Sequence, residues 1–151
     1  MTVAFRPAIR ADLPAIVALI AADRIGATRE DAREPLAACY VEAFEALVHD
    51  PNQLLAVADE AGVVVGTLQL TFIPGLSRKG SWRGQIEAVR VAETHRGAGL
   101  GAQFFEWAIA RCRKRGCSLV QLTTDRTRPD AHRFYDRLGF EASHVGYKLK
   151  L

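Results

Sequence analysis

The residues of this sequence best suited to chemistry begin at Arg96. From there the chain reads Arg-Gly-Ala-Gly-Leu-Gly, ending at Gly101, after a β-branched run and before a long amphipathic stretch. A helix that starts at such a turn presents unpaired N–H groups and the positive end of its peptide dipoles. Glycine adds close access to bare backbone, so the turn is suited to an anion. The guanidinium of Arg96 suits phosphate, and the combination points to a diphosphate. Two common phosphate loops do not fit. The P-loop needs Lys-Ser/Thr after its last glycine, where Ala102 and Gln103 stand, and the dinucleotide fingerprint needs G-x-G-x-x-G, where the spacing is G-x-G-x-G. The other reading of these glycines is a tight turn that only packs a helix on a sheet.

Several elements must hold that turn in place. Residues 3–9 read as a strand, with Pro7 at an edge or bulge. Asp12 is placed to cap a helix with Pro14 in its first turn and Leu13, Ile16, Val17 and Ile20 at helical spacing. A second helix is expected over 33–49, stopped by Asp50-Pro51-Asn52. Residues 54–60 and 63–73 form a hairpin about Ala61-Gly62, and 74–84 is a loop. A fourth strand over 85–91 leads into the glycine turn, followed by a helix over 99–115 that Gly116 stops. A fifth strand over 118–125, a short helix over 129–138 and a last strand over 143–151 complete the order. The pattern predicts an α/β (α+β) protein, an open mixed sheet covered by helices.

With 151 residues, 49% hydrophobic and 25% charged, the chain has the size and composition of one globular domain, 1–151. No apolar run reaches the length of a membrane span and the N-terminus lacks a signal pattern, so a cytoplasmic protein without a membrane partner is expected. Cys39, Cys112 and Cys117 lack metal-ligand spacing and read as reduced, mostly buried thiols; no metal is expected. A net charge of +3 suits an anionic ligand. No basic stripe with interleaved aromatics points to nucleic acid.

A strand of the form x-V-x-V followed by R-G-x-G-x-G resembles the acyl-CoA-binding motif of the GCN5-related N-acetyltransferase (GNAT) superfamily. About 30 residues on, the segment from Asp130 to Phe140 (DAHRFYDRLGF) is similar to that family's A-x-x-F-Y-x-x-x-G-F. The resemblance covers essentially the whole chain. It implies the GNAT fold, a mixed central sheet flanked by helices whose strands 4 and 5 run parallel and splay apart, with acetyl-CoA as cosubstrate in the opening. Val89 and Val91 then pair with the acetyl carbonyl and the pantetheine arm. Arg96, Gly97, Ala98, Gly99, Leu100 and Gly101 cradle the pyrophosphate, and Arg128 and Phe134 border the cofactor. Glu93 stands where the family often has proline, and Arg128 where it often has asparagine.

Moving acetyl from a thioester to an amine takes an uncharged amine, a stabilised oxyanion and a protonated leaving thiolate. Tyr135 matches the family's tyrosine near the sulfur, a proton donor to the thiolate; it also belongs to an apolar face with Ala131, Phe134 and Leu138. Glu87 lies two residues before Val89, hence on the same face by strand alternation, and is the general-base candidate, directly or through a water. Its other reading is a solvated strand glutamate. His132 reads as a capping or packing residue and His95 as an exposed loop residue. Arg78, Lys79, Trp82 and Arg83, with Tyr40 and Phe44, are expected around an acceptor that carries an acidic group. The resulting expectation is an N-acetyltransferase for a small-molecule primary amine, without metal, as a homodimer of the kind the resemblance suggests. Acetylation of a protein lysine or N-terminus, and a non-catalytic acyl-CoA sensor, are the alternatives.

Overall fold

The computed structural model describes residues 2–151. Five strands form one sheet in chain order: β1 (Val3–Pro7), β2 (Gln53–Glu60), β3 (Val63–Ile73), β4 (Trp82–Val91) and β5 (Cys117–Gln121). Neighbours are antiparallel except β4 and β5, which run parallel. α1 (Leu13–Ala21) and α2 (Ala38–His49) cover one face. The four-residue turn α3 (Ser77–Gly80) leads into β4, α4 (Leu100–Lys114) packs on the other face, and α5 (Pro129–Arg137) follows β5. Among the described residues no helix is long and apolar enough to cross a membrane.

Burial on both faces explains why β2 and β3 read as nearly unbroken apolar runs. The consecutive residues Ala56, Val57 and Ala58 are all 0% exposed, Val57 facing α1 and α2 and its neighbours facing α4. Phe104 and Phe105 fill the α4 side, with Phe5 stacked on Phe104 at 4.9 Å between ring centroids. α4 lies so close to β4 that a Cβ at Gly84 would collide with Cys112 Sγ, so glycine is required there. Cys112 is buried, which pushes its thiol up to about 12, Cys117 is half-buried and Cys39 is exposed; all three are free.

Several expected boundaries shift for identifiable reasons. α2 starts at Ala38 rather than residue 33, because Pro35 disfavours helical backbone before it. Asp12 does not cap α1. Its carboxylate accepts the Ile9 N–H at 2.8 Å and two Arg6 N–H groups at 2.7 and 3.0 Å, and Arg6 also reaches Asp59. β4 starts at Trp82, because Ser118 and Trp82 join the two parallel strands there. The last expected strand, 143–151, is exposed and has no strand partner among the described residues. A strand exists only with a partner, and alternation in sequence cannot supply one.

Candidate active site

β4 and β5 pair only from Trp82↔Cys117 to Gln85↔Gln121, with a register shift after the first pair. β5 then ends while β4 runs on to Val91, so the upper half of β4 loses its parallel neighbour. On its other edge Ala92 donates its N–H to the Val65 carbonyl at 2.8 Å. Strand alternation therefore turns the N–H groups of Val91 and Val89 toward the opening. The carbonyls on the same side already have partners. Arg90 Nη1 donates to the Val89 oxygen at 2.8 Å, and Arg96 Nε donates to the Val91 oxygen at 3.2 Å. The edge thus offers free donors and two flanking guanidiniums, a surface suited to an extended, amide-bearing anion.

The opening is a cleft of about 460 Å³ bounded by Val89, Val91, Arg96, Arg128 and Ala131. Four of the residues expected at the cofactor, Val89, Val91, Arg96 and Arg128, are therefore brought together. Just after Arg96 in the chain, Gly97 (φ 77°) and Gly99 (φ 82°) take left-handed backbone, and Gly99 caps α4. Side chains strain that conformation, and its use here leaves the first N–H groups of α4, from Leu100 on, open to an anion. Gly101 is set by packing instead: a Cβ there would touch the Phe134 ring at 3.6 Å. His95 is not a free loop residue. It bonds Glu60 at 3.0 Å and Thr94 at 2.8 Å, tying the turn to the end of β2. His132 bonds the Asp125 carbonyl at 2.9 Å and holds the loop before α5.

Tyr135 sits half-buried among Phe105, Phe134 and Phe140, at 5.6 to 6.2 Å between ring centroids. Burial raises its pKa above the ordinary tyrosine value, while the positive fields of Arg128 and Arg90 pull the other way. Those arginines share one counter-ion that the sequence pattern did not single out. Asp23, just past α1, accepts Arg128 Nη2 at 2.6 Å and Arg90 Nη2 at 3.2 Å, with the Gly26 N–H at 3.4 Å. Burial pushes the Asp23 carboxyl up, but the Arg128 bond and the charge of both arginines outweigh it, so the carboxyl lies below its usual value. The available signals were weak, an Asp-Arg pair after a helix and an arginine between Val89 and Val91.

Glu87 does not join this cleft, contrary to strict alternation. Ala88 takes φ 53°, and the ladder jumps from Gln69↔Glu87 to Thr67↔Arg90, two steps on β3 against three on β4. Such a bulge reverses which face a side chain meets. Ile86 before it and Val89 and Val91 after it all pack toward α4, which leaves Glu87 on the α1/α2 face, exposed rather than partly buried. There Gln121 Nε2 donates to Gln85 Oε1 at 3.0 Å, and Gln85 Nε2 approaches Glu87 Oε1 at 3.4 Å. On β2 and β3, Gln53 Oε1 accepts Gln69 Nε2 at 3.1 Å and Thr71 Oγ1 at 2.9 Å. This row of amides was missed in the sequence because its members come from four strands.

Beside Gln69 and Ala88 a small apolar cavity of about 130 Å³ opens under α1 and α2, lined by Tyr40 and Phe44. The Arg78, Lys79, Trp82 and Arg83 group lies elsewhere. Arg83 is six residues before Val89 on β4, about 20 Å at strand rise. Trp82 and Phe72 there carry the stacked guanidinium of Arg115, whose ring-centroid distances are 5.5 and 4.2 Å.

A family model described as the acetyltransferase (GNAT) family matches residues 22–140. The chain is 37% identical over 112 residues to the aminoalkylphosphonate N-acetyltransferase of Salmonella typhimurium, spanning 74% of this chain and 72% of that protein. It is 35% identical over 91 residues to the glucosamine 6-phosphate N-acetyltransferase of Trypanosoma brucei brucei, spanning 60% and 59%. A crystal structure described as a transcriptional regulator from Bacillus halodurans C-125 superimposes at a TM-score of 0.97 with 47% identity, over 99% of this chain and 100% of that one. The family match takes in the splayed strands, the glycine turn and α5, and so accounts for the cleft as well as the fold: the chain belongs to the GNAT acetyltransferase family.

Proposed function

We propose that this enzyme moves an acetyl group from acetyl-CoA to the primary amine of a small molecule carrying an acidic group, by direct transfer in a ternary complex. The observation that carries the reading is the open edge of β4, where the Val89 and Val91 N–H groups face a cleft that Arg96, just before the glycine turn, and Arg128 border. Acetyl-CoA supplies an acyl group activated as a thioester. Val89 and Val91 hold its amide-bearing arm and the acetyl oxygen, and the turn from Arg96 to Gly101 takes the pyrophosphate. Arg128 lines the arm, and Phe134 supports the turn through Gly101.

Glu87 lies across β4 from the thioester, beside the apolar cavity and the amide row. That placement supports entry of the amine from the α1/α2 face, so the two substrates meet at the bulge. Glu87 takes the ammonium proton through a water, the amine nitrogen bonds the acetyl carbon, the carbon–sulfur bond breaks, the Tyr135 hydroxyl gives its proton to the leaving sulfur, and the second proton shed by the acetylated nitrogen restores that hydroxyl. The named small-amine relatives support an acceptor bearing phosphate or phosphonate. The regulator description of the Bacillus halodurans neighbour adds no ligand to this cleft. Free thiols suit a reducing cytoplasm.

A thiol-release assay with acetyl-CoA across amines, amino acids, aminophosphonates and peptides tests the reading. Turnover is expected with aminophosphonates or amino sugar phosphates, and Gly99→Val and Arg96→Glu are each expected to raise the acetyl-CoA KM about tenfold, the equivalent of one or two lost phosphate contacts. Tight CoA binding without turnover on any amine would overturn the enzyme reading in favour of a sensor. An unchanged acetyl-CoA KM in both variants would overturn the cradle.

A further inference from the structure

The acceptor proposed above carries an acidic group, yet Arg83, one of the residues expected to hold it, lies about 20 Å along β4 from Val89. Another source of positive charge stands on the same face as Glu87, and the bulge puts it there. Between Gln69↔Glu87 and Thr67↔Arg90 the ladder spends three residues of β4 against two of β3. In an unbroken strand, residues three apart point to opposite faces. Here both meet the α1/α2 side, Arg90 through its bond to Asp23 just past α1. Because their partners on β3 are only two residues apart, the two positions are separated by roughly 7 Å at strand rise. β5 has already ended at Gln121, so at this level no strand divides the cleft from the α1/α2 face, and Arg90 lines the cleft as well.

Arg90 is only 16% exposed, and its Nε–H is buried without an acceptor among the described residues. Arg128 comes from the loop before α5 to the same Asp23. Two guanidiniums thus share one carboxylate, which leaves one positive charge in excess. The other charged neighbours do not cancel it: Arg29 is paired with Glu30 at 3.4 Å, and Asp130 with Arg133. A partly buried surplus charge is costly until an anion joins it. We infer that Arg90, backed by Arg128, is the specificity-determining residue that holds the acid group of the acceptor, a phosphonate or phosphate two or three carbons from the amine. The inference rests on the acetyl-transfer reading given above. With its ammonium at the water on Glu87 and its acid at Arg90, such an acceptor lies along β4 across the bulge. Three oxygens and more than one negative charge match the planar fork of a guanidinium, whereas an amine without an acid leaves the excess charge unanswered.

Kinetics with 2-aminoethylphosphonate and with uncharged propylamine test this, read as the ratio of their kcat/KM values. General damage to β4 lowers both values alike and leaves the ratio unmoved. The wild-type ratio is expected to favour the phosphonate, and Arg90→Gln to lower that preference about 100-fold, the scale of a charge-assisted pair. Arg90→Lys, which keeps the charge but not the fork, is expected to lower it about tenfold. Calorimetry with ethylphosphonate, which has no amine, on the protein saturated with CoA reads the same subsite without turnover. Binding is expected in the wild type and about 100-fold weaker in Arg90→Gln. Turnover of the aminophosphonate with a preference unchanged in Arg90→Gln overturns the inference and leaves the acetyl-transfer reading intact. Ethylphosphonate binding that depends on Arg90, without turnover of any amine, keeps the subsite and overturns that reading. A wild type that neither prefers the aminophosphonate nor binds ethylphosphonate overturns the inference. If the variants fail to fold, a series of aminoalkylphosphonates on the wild type decides: kcat/KM is expected to fall about tenfold between three and six carbons, and a flat series overturns the inference.

Discussion

The two faces of β4 are built from different materials. The side toward α4 and the cleft uses backbone: N–H groups of Val89 and Val91, left-handed glycines at 97 and 99, and the start of α4. The α1/α2 side uses side chains from separate elements: Glu87 and Gln85 from β4, Gln121 from β5, Gln69 from β3, and Tyr40 and Phe44 from α2. Backbone recognition needs glycine and β-branched residues at fixed spacing, which tolerates little variation. Side-chain recognition can change its ligand by changing one residue on any of several elements. The first face is therefore suited to a constant cosubstrate and the second to a variable acceptor. Between them stands the bulge at Ala88.

The largest effect on this comparison should come from Tyr135, the proton donor of the proposed mechanism. Tyr135→Phe is expected to lower kcat about 1,000-fold, the scale of a lost general acid, without moving the acetyl-CoA KM. Burial holds the Tyr135 hydroxyl above its ordinary value, against the pull of Arg128 and Arg90. It therefore keeps its proton through neutral and mildly alkaline pH, and wild-type kcat should fall only above about 10. The residual activity of Tyr135→Phe should lack that alkaline decline. A variant that keeps most of its kcat would give the proton to another group.

Next in size is the acceptor side. Glu87→Gln is expected to lower kcat/KM for the amine about 100-fold, with the acetyl-CoA KM unchanged, because the bulge puts Glu87 across β4 from the cleft. The deficit should shrink as pH rises, since more of the amine then loses its proton without help. An equal rise in the acetyl-CoA KM would place Glu87 on the cofactor face and dissolve the distinction.

Asp23, just past α1, ties Arg90 of β4 to Arg128 before α5, and its loss is expected to act on stability. Asp23→Asn leaves the guanidiniums of Arg90 and Arg128 without their shared counter-ion, at a cost of about 2 kcal/mol in a denaturant titration. The folded-state carboxyl lies below its unfolded value. Its contribution is thus complete above the unfolded value near 4 and is lost as pH falls through the lower, folded one. The gap between wild type and variant should therefore close in acid. A gap that widens in acid would contradict the ion-pair account.

The same contrast decides what could be read from the sequence. The elements around the cleft were legible because their requirements are local: a strand, a glycine turn with Arg96, and α5 with its Phe-Tyr pair appear as short motifs at fixed spacing. Asp23 and the amide row were not, because Asp23 meets Arg128 across 105 positions and Gln121 meets Gln85 across 36. The fold was legible where burial writes a period, as in the hairpin of β2 and β3. It failed at residues 143–151, where the period is present but no strand partner stands among the described residues. Glu87 failed for a third reason. Counting by twos assumes an unbroken pleat, and a single alanine in left-handed backbone breaks it.

That alanine gives the smallest and most specific prediction. A non-glycine residue in the left-handed region costs about 1–2 kcal/mol. Ala88 at φ 53° carries that strain in the middle of β4, where the ladder to β3 over-determines it on both sides. Ala88→Gly removes the strain but adds about 0.5–1 kcal/mol of backbone entropy lost on folding. The net expectation is a gain of about 0.5 kcal/mol in thermal unfolding, from the difference between those two effects. Ala88→Val should instead destabilise, since a β-branched side chain tolerates positive φ least. If the bulge is what keeps Glu87 apart from Val89, the glycine variant preserves it and both KM values stay at their wild-type levels. A glycine variant that is less stable, with the amine KM raised and the acetyl-CoA KM unchanged, would show that the Ala88 methyl group serves the apolar cavity it lines rather than merely enduring the bend.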